Sequence, residues 1–537
     1  MSIYDKSSLV LIPSGTKTGK VYSQKPVSGD GDFTFTRSSA ATRVNADGNI
    51  EKETQNLILQ SNQLNTTWGA QGTIVGSQAD KDGGTSAWSF TPAGATSGFF
   101  QNITTGGVQT FSVYVKKNAT YGIRVYMFGS LNAATFFDLN NGAVASSTSG
   151  VVDASIEAYN SDWWRVSVTC NSTLSQVTLY STDNASTQVV GTITIQDAQL
   201  EQGLVARDVI TTTTTAVEGG ITDNVPRLDY TDSSCPALLL EPQRTNAIIN
   251  SEYLLGYYSS NTTITQNYGI SPEGVKNSAR IQFTGSGYIS FSVATYANEV
   301  TSMYVKGVAG EILRFGKGAN VAQGALYTLT GDWQRIVYDT GSASIFFIIS
   351  NFNGANVTDF EVYGLQHEEG SYATSYIPTY GSSVTRVGET CVDAGNASTF
   401  NSTEGVLYAE ISGLANGGVD RSIALSDGST SNYLRITLHA NSNRIAFYSN
   451  KGVNYNNYDF SQTDDLKIAF QYKANDWKVY INGVLETQLS ALTFSPNTLS
   501  DLSFNLSNFT PFYGNAKQVL YFPTALSDEE LAVLTTI

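Results

Sequence analysis

Histidine is nearly missing from this chain: only His367 and His439 occur among 537 residues. A Ser-His-Asp or Cys-His triad would have to use one of them. Neither belongs to an H-x-x-x-H or H-E-x-x-H pair of the kind that holds a metal. Cysteine is as scarce. Cys170, Cys235 and Cys391 are far apart and no C-x-x-C occurs, which excludes zinc-ribbon and thioredoxin-like motifs. All three are expected to be buried or half-buried free thiols. Charged residues are only 14% and the net charge is −16. Nucleic acid binding needs a cationic footprint, so nucleic acid is not an expected partner. The same field opposes an anionic membrane surface. No apolar run reaches the length of a membrane-spanning helix. Met1 to Lys6 lacks the apolar stretch of a signal peptide, so synthesis in a cytoplasm is expected, with action elsewhere after release.

Gly is abundant at 48 and Tyr at 30, and Ser, Thr and Asn are frequent throughout. Aromatic and β-branched residues suit pleated surfaces, while Gly, Asn and Ser suit turns. Long helical periodicity is hard to find. The expected class is all-β, a series of tandem β-sandwiches with one short C-terminal helix.

An internal repeat organises the chain. The stretch Ile195 to Ile210 returns at Val362 to Ile377, with Gln199, Glu201, Gly203, Ala206 and Ile210 matching Gln366, Glu368, Gly370, Ala373 and Ile377. Upstream, Asn56 to Asn62 resembles Asn246 to Glu252, and Phe111 to Lys117 resembles Thr301 to Gly307. Asp162-Trp163-Trp164-Arg165 resembles Asp332-Trp333-Gln334-Arg335. Tyr114 and Tyr304 each lie 58 residues after the first Asn. Arg165 lies 109 residues on but Arg335 only 89, so the second copy lacks a loop. The expected division is a segment 1–55, module one at 56–215, a linker at 216–245, module two at 246–385 and a third domain at 386–537. The leader is too small for its own core and should dock on a partner or a sister chain. In the third domain, Trp477 to Ile481 runs into Asn482-Gly483, a hairpin turn signal. Ser527 and Glu530 form a capping box that starts a terminal helix.

The strand, Trp-Lys-Val-Tyr-Ile-Asn-Gly turn and Leu-Ser-Asp-Glu-Glu-Leu order over residues 400–537 resembles the concanavalin A-like, laminin-G-type sandwich. The two modules resemble carbohydrate-binding jelly rolls. Three stretches resemble fibre or spike proteins of tailed-bacteriophage virions: Leu11-Ile-Pro-Ser-Gly-Thr-Lys-x-Gly-Lys-Val-Tyr-Ser23, Gly29-Asp-Gly-Asp-Phe-Thr-Phe-x-Arg37, and Ser234-Cys-Pro-Ala-Leu-Leu-Leu-Glu-Pro-Gln-Arg-Thr-Asn246. That resemblance implies a non-enzymatic virion-surface protein, a head or tail fibre made in the host bacterial cytoplasm. It also implies a homotrimer, attachment to capsid or tail proteins through residues 1–55, and adhesion to host-surface glycans. The alternatives are a tailspike depolymerase and a secreted bacterial carbohydrate-binding protein.

Individual residues add limited detail. His367 is expected to be structural, because its counterpart is the apolar Leu200. Glycosidases require two carboxylates about 5 to 10 Å apart. Glu201 with Asp197, and Glu368 with Glu369, are the candidates, but Glu201 and Glu368 are better read as partners of their own backbone or of Arg165 and Arg335. The repeated Trp is expected in the core. The polar aromatic stretch Tyr455, Asn456, Asn457 and Tyr458 is the candidate glycan-binding loop. No cofactor is expected. Asp427, Asp464 and Asp465 offer oxygen ligands without a D-x-D-x-D-G loop, so metal binding stays open.

Overall fold

The computed structural model describes residues 3–318, 323–339, 345–506 and 510–537. The chain is all-β, with one α-helix among the described residues, Asp528–Thr535. Ser527 and Glu530 close its capping box. Among the described residues, no helix is long and apolar enough to cross a membrane.

Module one is a sandwich of two six-stranded antiparallel sheets. One sheet runs Val151–Ala158, Trp163–Asn171, Val108–Lys116, Ile193–Gln202, Ala87–Pro92, Gly72–Gln78. The other runs Ala143–Ser147, Ala133–Asp138, Tyr121–Gly129, Leu174–Asp183, Phe99–Thr105, Gly69–Ala70. Alternating residues Phe111, Val113 and Val115 meet Ile123, Val125 and Met127 between the sheets, all fully buried. Module two repeats this pattern with two differences. It goes from Ala325–Thr328 directly to Gln334–Asp339, whereas module one inserts Ala143–Ser147 and Val151–Ala158, which accounts for the shorter spacing. It also carries one 14-residue strand, Ala279–Ser292, that pairs with Asp359–Glu369 through its first half and with Phe346–Ser350 through its second.

The third sandwich is not built from residues 386–537 alone. Its larger sheet runs Arg227–Asp229, Ala237–Leu240, Gly514–Phe522, Glu404–Gly413, Leu466–Lys473, Trp477–Ile481, Val484–Leu489. Leu9–Leu11 also pairs with Gly514–Phe522. Phe33–Thr36 pairs with Thr390–Val392. Leu9, Leu11, Val21, Phe33, Phe35, Leu238 and Leu240 all lie in this domain's core. The leader therefore docks on its own chain, where its apolar face completes sheets already present in cis. The facing sheet runs Val453–Asn457, Ile445–Ser449, Tyr433–Leu438, Arg421–Ser426, Asp501–Ser503.

Two buried ionic clusters join the units. In the first, Arg37 bonds Glu389 at 2.7 Å, Arg227 bonds both Glu389 and Glu241, and Arg386 reaches Glu241 at 2.8 Å. Leader, linker, module-two exit and third domain each contribute. In the second, Lys52 meets Glu252 at 2.7 Å and Glu273 at 3.0 Å, and Glu273 also pairs with Arg207 of module one. The backbones touch here as well. Val108 N donates to Tyr380 O at 3.2 Å, and a Cβ on Gly107 would fall 1.4 Å from that oxygen. Only glycine fits there.

Candidate functional site

The repeated motif is a latch. Asn56 Nδ2 donates to the carbonyls of Ala198 and Ile210, and its Oδ1 accepts from Ile58 N and Leu200 N. Asn246 does the same with Leu365, Ile377, Ile248 and His367. Gln199 Oε1 accepts from Ile210 N at 2.8 Å, and Gln366 Oε1 from Ile377 N at 2.6 Å. Glu201 accepts from Arg207 N at 2.6 Å, and Glu368 from Thr374 N at 2.8 Å. Arg165 and Arg335 donate to the carbonyls of Arg207 and Thr374 in the same turns. Each side chain satisfies buried backbone where a strand leaves the sandwich. Both modules use the motif identically, so it carries the fold.

The histidines are committed in the same way. His367 is fully buried, with Nδ1 2.7 Å from Thr301 Oγ1 and Nε2 3.0 Å from Ala294 O. Burial pushes its pKa down. His439 Nδ1 accepts from Asn441 N at 3.0 Å. Among the described residues no group of three or more His, Cys, Asp or Glu gathers for a metal. Asp427 is bonded by Ser429 and Asn432, and Asp465 by Lys517. Cys170 and Cys391 are buried, but Cys235 is exposed, because it lies in the turn between Arg227–Asp229 and Ala237–Leu240.

A cavity of about 440 Å³ lies where the leader and both modules meet, lined by Glu53, Gln202, Arg207, Tyr380 and Arg386 among others. Glu201 also lines it, but is latched as described. Burial, with Glu218 and Asp223 nearby, pushes Glu53 up to about 7. Asp197 is paired with Lys81 at 3.3 Å, so it stands apart from Glu201 as a structural group.

The stretch Tyr455 to Tyr458 is a strand through Asn457 and not a loop. Val453–Asn457 is an edge strand, and its alternation divides the four side chains. Tyr455 packs against the core and donates its hydroxyl to Glu486 O at 3.3 Å. Asn457 is buried and donates to Glu486 Oε2 at 2.9 Å. Asn456 points the other way and accepts from Arg444 Nε at 2.9 Å. Tyr458 is exposed and lies beside the Arg444 guanidinium. The repeated tryptophan behaves as expected in module one, where Trp163 is 2% exposed. Its counterpart Trp333 is half-buried and donates to Ile270 O.

A different face has the features of a ligand platform. In Tyr121–Gly129, Ile123, Val125 and Met127 point into the core, so Arg124, Tyr126 and Phe128 point outwards and are half-exposed. Arg124 is directly opposite Phe136 on one side and Tyr180 on the other. Its guanidinium carbon lies 4.4 Å from the Tyr126 ring centre, 5.0 Å from Phe136 and 5.5 Å from Tyr180. Phe128 packs on Tyr126 at 3.7 Å between ring centres. Phe100 is opposite Thr178 on the same sheet. Gln176 and Asn102, bonded to each other at 2.8 Å, add amides at the edge. Such cation–π pairs hold a guanidinium flat against the rings.

Module two lacks these rings at the matching positions, although Tyr258, Tyr288 and Phe352 form a different aromatic group on its sheet. Arg314 occupies the register of Arg124, but faces Leu326 and Ser350 where module one has Phe136 and Tyr180. Gly316 stands where Tyr126 stands. Arg314 donates to three backbone carbonyls, those of Phe352, Gly324 and Asn353. The repeat thus keeps the latch in both copies and the rings around this arginine in one.

No protein-family model and no curated protein matches this sequence. Solved structures similar to parts of it include the CBM40 of a Ruminococcus gnavus IT-sialidase bound to alpha2,3 sialyllactose, at 14% identity and TM-score 0.22, over 25% of this chain and 83% of that one. Domain 4 of AbnA, a GH43 extracellular arabinanase from Geobacillus stearothermophilus, in complex with arabinotriose, is 14% identical at TM-score 0.24, over 31% and 83%. The LG1-3 region of the laminin alpha2 chain is 11% identical at TM-score 0.17, over 81% and 95%. At these scores the likenesses carry no statement of what this chain binds.

Proposed function

We propose that this chain is a non-enzymatic glycan-binding protein, and that module one binds saccharide on the face built by Arg124, Tyr126, Phe128, Phe136 and Tyr180. The observation that carries this reading is the divergence of the two modules. Within one fold, the aromatic positions of module one are Gly316, Leu326 and Ser350 in module two. A fold requirement would hold in both copies. Half-exposed rings expose apolar area to water at a cost that a stacked sugar would relieve. The non-enzymatic part is supported by Glu201 and Glu368, whose matched backbone bonds identify them as latch residues. The phage resemblance in the leader and linker motifs supports a fibre or spike on a virion surface, with the sandwich modules presented to host glycans. A homotrimer and attachment to capsid or tail proteins belong to the same proposal.

Glycan-array binding followed by calorimetry tests it. Tyr126→Ala with Phe136→Ala should weaken saccharide binding roughly tenfold or more, as expected for aromatic anchors. Tyr258→Ala, on an exposed module-two tyrosine, should leave it unchanged. Binding unaffected by the first pair would remove the assigned face.

A further inference from the structure

We infer that the module-one face selects acidic saccharides, and that Arg124 receives their carboxylate; this rests on the glycan-binding reading above. The guanidinium has one hydrogen bond among the described residues, from Nη1 to Gln188 Oε1 at 3.1 Å. Its Nε is covered and has no acceptor. The Nη2 side of the fork is uncommitted. An arginine required only by the fold would be used as Arg314 is, with all three nitrogens on carbonyls.

The nearest acids on this sheet do not neutralise it. Asp138 accepts from Asn140 N, Asn141 N and Asn141 Nδ2 in its own turn. Asp183 accepts from Ala185 N and Thr187 N. On a chain of net charge −16, Arg124 is a half-exposed cation without an acidic partner among the described residues. Guanidinium is planar, always charged and weakly hydrated, and its fork matches a carboxylate in two parallel bonds. The rings crowd the guanidinium before a ligand arrives, which lowers the entropic cost of forming that pair. A sugar ring laid across this half-exposed face would bring a ring carboxylate within reach of the guanidinium. A neutral sugar offers only hydroxyls there and leaves the charge uncompensated.

The test uses the full chain and matched probes. Galacturonan oligosaccharides are compared with the same oligosaccharides methyl-esterified at every carboxylate, alongside a panel of neutral glycans. The free acids should bind roughly tenfold tighter than the esters, the scale of a charge-assisted pair. Arg124→Gln should abolish that difference, and Arg124→Lys should restore part of it and confirm that the face still folds. Added salt should weaken the acid and spare the ester. Equal binding of acid and ester, or a preference that survives Arg124→Gln, would overturn the inference. If neutral glycans bind through Tyr126 while galacturonans do not, the inference fails and the glycan-binding reading stands. If nothing on the panel binds, both fail.

Discussion

Single residues divide into those that hold the fold and those free to do something else. Asn56 satisfies four backbone groups while fully buried. Asn56→Ala strands them, at about 1–3 kcal/mol for each group left unpaired, partly relieved by relaxation. We expect a loss of roughly 3 kcal/mol or more in urea unfolding, with Asn246→Ala equivalent in module two. Glu53 acts in the opposite sense. Its folded pKa of about 7 is raised from 4.5, so its ionised form is disfavoured in the folded state. The cost is absent below pH 4.5, grows as pH rises through that interval, and is complete above 7. Glu53→Gln should therefore raise the thermal midpoint at pH 8 and leave it unchanged at pH 4. An equal shift at both would mean that charge is not the cause. The latch was legible in the sequence because a four-bond side chain tolerates no substitute and so repeats. The platform residues were not, because they differ between the copies and a search for repeats passes over what fails to repeat.

At the scale of elements, alternation decides most of what the chain exposes. Arg-Val-Tyr-Met-Phe over 124–128 is a strand with aromatics on its outer side. That signal was present in the sequence, beside Arg-Phe-Gly-Lys-Gly over 314–318. Tyr455 to Tyr458 shows the reverse. Composition marks it as a polar aromatic loop, yet pairing to Ile445–Ser449 makes it a strand and sends Tyr455 and Asn457 inwards. The Asn482-Gly483 turn was legible, because both residues take positive φ, 49° and 88°, as that hairpin type demands. The leader strand Leu9–Leu11 is a further test. Leu9 and Leu11 are fully buried against the third domain. Leu9→Ala should cost about 2–5 kcal/mol. Deleting residues 1–25 should uncover the edge of Gly514–Phe522 and produce dye binding and aggregation.

For the whole molecule, the ionic clusters set the response to acid. Three guanidiniums, Arg37, Arg227 and Arg386, share Glu241 and Glu389, all 2% exposed or less. Although burial opposes it, Arg386 and Arg227 hold the Glu241 carboxyl well below the usual range. Lys52 and Arg207 likewise outweigh burial at Glu273 and hold it near 2, against an ordinary 4.5. Depressed carboxylates contribute stability above about 4.5 that is lost as pH falls towards 2. Scattering and intrinsic fluorescence should therefore report a loosening of leader, linker and modules between those values. Glu389→Gln should cost about 3–5 kcal/mol, because three buried guanidiniums would then be left with one carboxylate and Arg37 with none, and should expose the linker to protease at neutral pH. Unchanged cleavage would show that the cluster does not hold the linker.

The sequence by itself determined the all-β class, the duplication, the shorter spacing of module two, the terminal helix and the structural role of His367. These follow from local periodicity and from side chains that bond their near neighbours. Only the tertiary structure decided that residues 9–11 and 227–240 complete the third sandwich, that Arg37, Glu241 and Glu389 meet, and that Arg124 lies among Tyr126, Phe136 and Tyr180. Apart from Arg124 with Tyr126, those contacts join residues that the chain separates by about ten to several hundred positions. Their partners are chosen by which apolar edge and which buried charge remain uncompensated once each sandwich has closed.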